Sequence, residues 1–174
     1  LENNKKNYKS NIEIKNLEDL CDIDYGTRIV KKNNTEGEYP VFGSGRQMFT
    51  TNSYNREGFN ILIGRFGLSL ECVRLVNQKL FLNDSGLSVK PKTDKVLHKY
   101  IAYYLLENQS MIYECARGPA QKNLEMEKFK NLQIPLPSIE NQKIIIKKIE
   151  NINDENNKLR KKIEQNINKS KNII

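Results

Sequence analysis

The chain has one histidine, three cysteines and no tryptophan in 174 residues. The lone His98 cannot form a histidine cluster. Cys21, Cys72 and Cys115 are odd in number, far apart and without C-x-x-C spacing. They read as small buried hydrophobes in a reducing compartment, which sets aside a disulfide framework and a zinc site, so no metal is expected. No apolar run approaches the ~18 residues that a membrane span needs, and no signal peptide is visible. These absences predict a soluble, cytoplasmic protein with no membrane attachment. The first residue is Leu1 and not methionine, which predicts a fragment or a processed product.

Catalytic motifs are scarce as well. Gly43-Ser44-Gly45 lacks the downstream Gly-Lys-Ser/Thr of a phosphate loop. The N/D-P-P-Y and F-x-G-x-G motifs of an amino-methyltransferase are absent. Glu13-Ile14-Lys15 matches the end of a nuclease E-x-K motif, but no Pro-Asp pair precedes it. Asp22 and Asp24 are two close carboxylates, able to clasp a cation or simply to solvate a loop. With no histidine pair and no activated nucleophile, the chain is expected to be no enzyme and to need no cofactor.

What is plentiful is positive charge. Twenty-nine Lys and Arg against 21 Asp and Glu give a formal charge of +8. That favours a polyanionic partner, although an AT-rich genome would also enrich Lys and Asn. The length fits one domain plus an appendage. Residues 1–11 form a polar tail, 12–137 a folded body and 138–174 a long helix. In the body, short apolar strands centre on 39–42, 61–63 and 87–89. Cys72–Val76 and Lys79–Leu82 read as a paired hairpin turning through Asn77-Gln78. The period changes over His98–Cys115, where Ile101, Tyr104, Leu105 and Ile112 mark one or two helices on the sheet. Strands followed by helices give an α+β class.

Ile134-Pro135-Leu136-Pro137 must be extended, because a residue before proline is pushed out of the α region. Ser138 then caps the closing helix, with Glu140 in its first turn. In that helix Ile145, Ile149, Ile152, Asn156, Leu159 and Ile163 alternate spacings of four and three, a heptad seam with Asn156 in an a position. Beyond Ile163 the spacing runs four and then seven, to Ile167 and Ile174, like a stutter. Thirty-six helical residues would reach roughly 54 Å at ~1.5 Å each. An apolar stripe that long predicts a partner helix, with packing on its own body as the alternative.

Four polar loops carry the residue types that contact DNA, cations for phosphates and Arg, Asn, Gln or Ser for base edges. They are Arg28 with Lys31 and Lys32; Ser44, Gly45, Arg46 and Gln47; Arg65 through Ser69; and Arg117 through Asn123, with Gln121 and Lys122. Each has a structural rival. Lys31 and Lys32 suit an ordinary surface, and Gly43 and Gly45 suit a positive-φ turn. Arg65 could pair with Glu71. Gln121 or Asn123 could cap a helix starting at Leu124, with Glu125 and Glu127 in its first turn.

Three stretches in order carry a family resemblance. Gly37-Glu38-Tyr39-Pro40-Val41-Phe42-Gly43-Ser44-Gly45, then Ile61-Leu62-Ile63-Gly64-Arg65-Phe66-Gly67, then Arg117-Gly118-Pro119-Ala120-Gln121 lead into the Pro-locked strand and long helix. This pattern, over roughly residues 12–155, resembles the specificity (S) subunit of type I restriction-modification enzymes. The resemblance implies an α+β fold: a small mixed-sheet target recognition domain at 12–137, then a coiled-coil spacer helix at 138–174. It implies binding to double-stranded DNA at one half of a bipartite site. Methyltransferase (M) and restriction (R) subunits would supply the chemistry. Only one recognition domain is present, which predicts a homodimer through the helix or a second recognition domain elsewhere. Two alternatives stand: the recognition region of a fused methyltransferase-nuclease, and an interaction module that has lost DNA binding.

Overall fold

The computed structural model describes residues 12–119 and 121–171. The polar tail at 1–11, Ala120 and Ile174 lie outside the described residues. In chain order the elements are β1 (Glu13–Asn16), α1 (Leu17–Leu20), β2 (Cys21–Tyr25), β3 (Tyr39–Phe42), β4 (Phe49–Thr51), β5 (Phe59–Gly64) and β6 (Val73–Asn77). There follow β7 (Phe81–Leu82), β8 (Gly86–Pro91), α2 (His98–Glu107), α3 (Gln109–Glu114), β9 (Ala116–Arg117) and β10 (Asn123–Leu124). The chain closes with α4 (Met126–Lys130), β11 (Gln133–Leu136) and α5 (Ile139–Lys171).

The main sheet is antiparallel, in the order β2-β8-β5-β6. Along β5 the side chains alternate between two different cores, so the strand is apolar on both faces. Ile61 and Ile63 face the larger core with Leu87 and Val89, against Leu17, Ile101, Leu105, Ile112, Phe129 and Ile134 of the helices and β11. Leu62 faces the other way, onto Leu80 and Leu82, with Phe42 and Val76 packed around them. Above that smaller core lies a mixed sheet, β4-β3-β7. Burying each such Leu or Ile contributes roughly 1.5–3 kcal/mol. The α+β class read from the sequence is the observed one.

The expected hairpin between 72–76 and 79–82 does not form. β6 pairs with β5, while β7 pairs in parallel with β3, Val41 opposite Phe81. Burial explains the split: Leu80 and Leu82 are fully buried in the second core, which a hairpin extending β6 would not close.

β1 pairs with β11, Glu13 opposite Leu136, so the start and end of the body are stitched together. Glu13 and Lys15 form an exposed ion pair of 2.7 Å with each other on this strand, which accounts for the E-x-K pattern. At the junction Asn141 N–H donates to the Ser138 hydroxyl at 3.3 Å, so Ser138 caps α5 as expected. Gln142, fully buried, fixes the first turn: its amide donates to the carbonyls of Lys95 (2.8 Å) and Pro137 (2.9 Å) and accepts from Leu97 N–H (2.8 Å).

Candidate nucleic-acid interface

Strand polarity gathers the predicted loops at one end of the body. β2 and β5 finish there and β8 begins there, with Tyr25 opposite Leu87 and Gly64 opposite Gly86. β3 and β7, being parallel, also finish there, Phe42 beside Leu82. The connectors after β2, β3, β5 and β7 therefore form one rim. The loop between β9 and β10 joins it: Leu68 N–H donates to Lys122 O (2.9 Å) and Leu124 N–H to Arg65 O (2.8 Å). The opposite end of β8 leads to Lys95 and Leu97, where α5 is anchored. Arm and rim thus lie at opposite ends of the sheet.

Hydrogen bonds hold the rim in shape. Asn83 amide nitrogen donates to Ile29 O at 3.1 Å, tying down the loop that carries Arg28. Asn34 donates to Thr50 O (3.0 Å) and accepts from the Thr51 hydroxyl (2.7 Å), anchoring the turn with Lys31 and Lys32. Arg74 of β6 reaches across to donate to Gly43 O (2.8 Å) and Ser44 O (3.0 Å). Burial lowers the pKa of that guanidinium from its ordinary value.

The candidate residues divide by exposure. Arg28, Lys31, Lys32, Gly45, Arg46, Gln47, Ser69, Arg117, Gln121 and Asn123 are all exposed. Lys31 and Gln47 share an open groove of about 450 Å³ with Asn34 and Glu36. Arg117 stands 3.8 Å from Glu125, and Lys122 lies 5.9 Å over the Tyr113 ring. Gln121 flanks Gly67, whose φ of +58° turns the chain away from β5.

Several expectations need correcting. Ser44 is a fastener: its hydroxyl donates to Ser85 O (2.6 Å) and accepts from the N–H groups of Arg65 (3.1 Å) and Phe66 (2.8 Å). Neither Gly43 nor Gly45 has positive φ. The tight approach is at Gly64, where an added Cβ would stand 2.6 Å from Ser44 O. Asn123 caps no helix. It sits in β10 opposite Arg117 and accepts from Gly67 N–H at 3.4 Å, while α4 begins only at Met126. Arg65 forms no ion pair with Glu71; its Nη1 donates to Asp84 O at 2.6 Å, and its guanidinium lies 4.5 Å from the Tyr25 ring centre and 4.8 Å from that of Phe66.

Around the corner of the main sheet lies a cleft of about 700 Å³ that sequence reasoning missed. Its wall includes Asp24, Arg56, Ser88, Lys90 and His98. Arg56 is spoken for, donating to Ser88 Oγ (2.8 Å), Asn55 O (2.8 Å) and Tyr25 O (3.1 Å). His98 packs edge-on against Phe59, at 5.1 Å between ring centres, and its buried Nε2 has no hydrogen-bond partner among the described residues. Burial first, and the Lys90 charge second, push its pKa below the ordinary value, opposed by a hydrogen bond to the Val89 backbone. Among the described residues no group of three or more His, Cys, Asp or Glu is placed to hold a metal ion.

Along α5 the seam meets two environments. Ile145 and Ile149 line an apolar groove of about 210 Å³ against Tyr100, Tyr103 and Tyr104 of α2. Lys99 clamps Glu150 at 2.6 Å. From Asn151 to Asn168 every residue is exposed, including Ile152, Asn156, Leu159 and Ile163. No helix among the described residues is long and apolar enough to cross a membrane.

The body is thus mixed α+β, with cationic loops at one end and a long helix leaving the other. Residues 9–169 match the type I restriction modification DNA specificity domain family, and the chain belongs to that family. Among solved structures it is similar to the S subunit of a type I restriction-modification system from M. genitalium, with a TM-score of 0.72 and 25% identity, over 84% of this chain and 41% of that one. The HsdS subunit from Thermoanaerobacter tengcongensis shares the fold, with a TM-score of 0.64 and 16% identity over 88% of this chain and 40% of that one. A chain from a study of type I R-M complex assembly and conformational transition matches likewise (TM-score 0.64, 17% identity, 88% of this chain and 41% of that one). This chain spans about two fifths of the length of those structures. No curated protein gives a significant match.

Proposed function

We propose that the chain is one target-recognition half of a type I specificity subunit, reading one half of a bipartite site in double-stranded DNA through its loop rim. The observation that carries this reading is the convergence of four separate polar loops on one end of the sheet. Arg28, Lys31, Lys32, Arg46, Arg117 and Lys122 supply phosphate contacts, with Gln47, Ser69, Gln121 and Asn123 near the base edges. The half itself performs no chemistry. Methylation and cleavage come from M and R partner subunits in the cytoplasm.

The arm takes a second helix. Seam residues beyond Ile149 are exposed, and full coverage would contribute several kcal/mol at ~25 cal/mol per Å², before association costs. In an antiparallel pair, matching a to d positions sets Ile145 opposite Ile163, Ile149 opposite Leu159 and Ile152 opposite Asn156. With a second copy as partner, the flanking positions would then oppose Lys148 to Lys162 and Glu155 to Glu155. Those like charges favour a helix of different sequence, from a second recognition domain, over a self-paired homodimer. The solved relatives, more than twice as long, accord with such a second half.

The test is reconstitution. The chain is combined with a type I M subunit and with a separately expressed second half, and adenine methylation of genomic DNA is followed. Methylation that needs this chain and disappears with Arg46→Ala and Lys31→Ala, while the complex still assembles, is the expected result. Methylation that survives those replacements would remove the rim from recognition.

A further inference from the structure

Arg65 is held unlike any other cation on the rim. The backbone on either side is pinned: Gly64 N–H donates to Cys72 O (3.0 Å), Arg65 N–H to Ser85 O (3.0 Å), and Phe66 N–H to the Ser44 hydroxyl (2.8 Å). The guanidinium is flanked by the Tyr25 and Phe66 rings, and Nη1 is spent on Asp84 O. No carboxylate lies within ion-pairing distance, and neither Nε nor Nη2 has an acceptor among the described residues. These two nitrogens form one side of the planar fork. Fixing Nη1 therefore leaves a pair of parallel N–H donors intact on the opposite edge.

The rings are as informative as the fork. Phe66 is 43% exposed and Tyr25 50% exposed; Val30, Met48 and Leu70 are also exposed on the rim loops, but of these only the two rings flank a cation. Phosphate contact requires neither feature. A phosphate accepts a flexible cation such as Arg28 or Arg46 equally well and gains nothing from an adjacent apolar ring. A base edge gains from both, because bidentate geometry must be met and the neighbouring base offers an apolar edge.

Building on the DNA-reading role proposed above, we infer that Arg65 reads a guanine from the major groove, Nε and Nη2 donating to its O6 and N7. Tyr25 and Phe66 act as positioning residues that hold the fork and cover the neighbouring base. The side chain loses little further freedom on binding, so the contact serves specificity as well as affinity. A good bidentate pair of this kind discriminates by roughly tenfold to a hundredfold against the wrong base.

The experiment is selection of duplexes from a random library on the immobilised full chain, carried out in parallel with wild type, Arg65→Ala and Arg65→Lys. The lysine variant keeps the charge and the aliphatic stem between the rings, which guards against an alanine variant that fails to fold. Wild type is expected to enrich a motif with a guanine that becomes degenerate in both variants while the other positions stand. Replacing that guanine by 7-deazaguanine, which lacks the N7 acceptor, should weaken wild-type binding by roughly tenfold and leave Arg65→Lys indifferent. Weakening of all sequences alike, with the motif intact, would reassign Arg65 to a phosphate and overturn the inference alone. A wild type that enriches no motif would overturn the DNA-reading role and this inference with it.

Discussion

Ser44 donates its hydroxyl to the carbonyl of Ser85 at 2.6 Å, joining the turn after β3 to the turn before β8. The same oxygen receives two backbone N–H groups from the loop after β5, so three rim loops meet at one side chain. Ser44→Ala takes the acceptor from Phe66 N–H, while Arg65 N–H keeps its bond to Ser85 O, at a cost of about 1–3 kcal/mol. The expected outcome is a melting temperature lower by several degrees and weaker DNA binding as a consequence. Unchanged stability would show that water substitutes for the hydroxyl.

Arg46 behaves oppositely. It is exposed beyond Gly45, where an added Cβ would meet nothing within 4 Å. Arg46→Ala should leave the melting temperature within about a degree, weaken duplex binding, and reduce the slope of log affinity against log salt by about one. Titrations at several salt concentrations measure both.

How much of this was legible in the sequence depends on how far apart the partners lie. The α5 arm, its Ser138 cap and the β11 strand were readable because proline, serine and heptad spacing act locally. The loops were readable as polar segments, but their meeting at one end was not, since it follows from β3 pairing with β7 and from β8 lying between β2 and β5. The helix cap suggested for Asn123 and the Glu71 pair suggested for Arg65 failed for the same reason, and the Ser44–Ser85 bond went unforeseen: Gly67, Asp84 and Ser85 are brought to them by the fold. Phe66 was named only as part of its loop and Tyr25 not at all, because nothing in the sequence shows that the fold brings both rings, half exposed, beside Arg65.

Gln142 shows how a buried polar residue ties the arm to the body. Gln142→Leu keeps the volume but strands the Leu97 N–H and the Lys95 and Pro137 carbonyls. A loss of about 2–3 kcal/mol is expected, read by chemical denaturation. Leu159→Asp, out on the exposed arm, should leave folding of the body unchanged and abolish helix pairing, as followed by sedimentation velocity with the second half present. Pairing that survives Leu159→Asp would place the partner elsewhere.

The single histidine makes one pH dependence directly observable. The depressed pKa of His98 means the unfolded chain binds a proton that the folded chain refuses over the interval below the ordinary value of about 6.5. Its contribution to stability is therefore present above that value and is lost as pH falls through the folded pKa. Its imidazole resonance should titrate below about 6.5 by NMR. His98→Phe should flatten the fall in melting temperature between about pH 6.5 and 5. A midpoint at or above the ordinary value would show that Nε2 finds a partner in solution.

The central claim is that the rim binds duplex DNA through its cations. The most direct measurement is fluorescence anisotropy of a labelled duplex titrated with the chain at about 50 and 200 mM salt, beside a variant with Arg28, Lys31, Lys32 and Arg46 replaced by alanine. The account predicts wild-type binding that weakens by roughly two or more orders of magnitude across that range, and a shallower dependence in the variant. Equal binding by both proteins, or an affinity indifferent to salt, would contradict it.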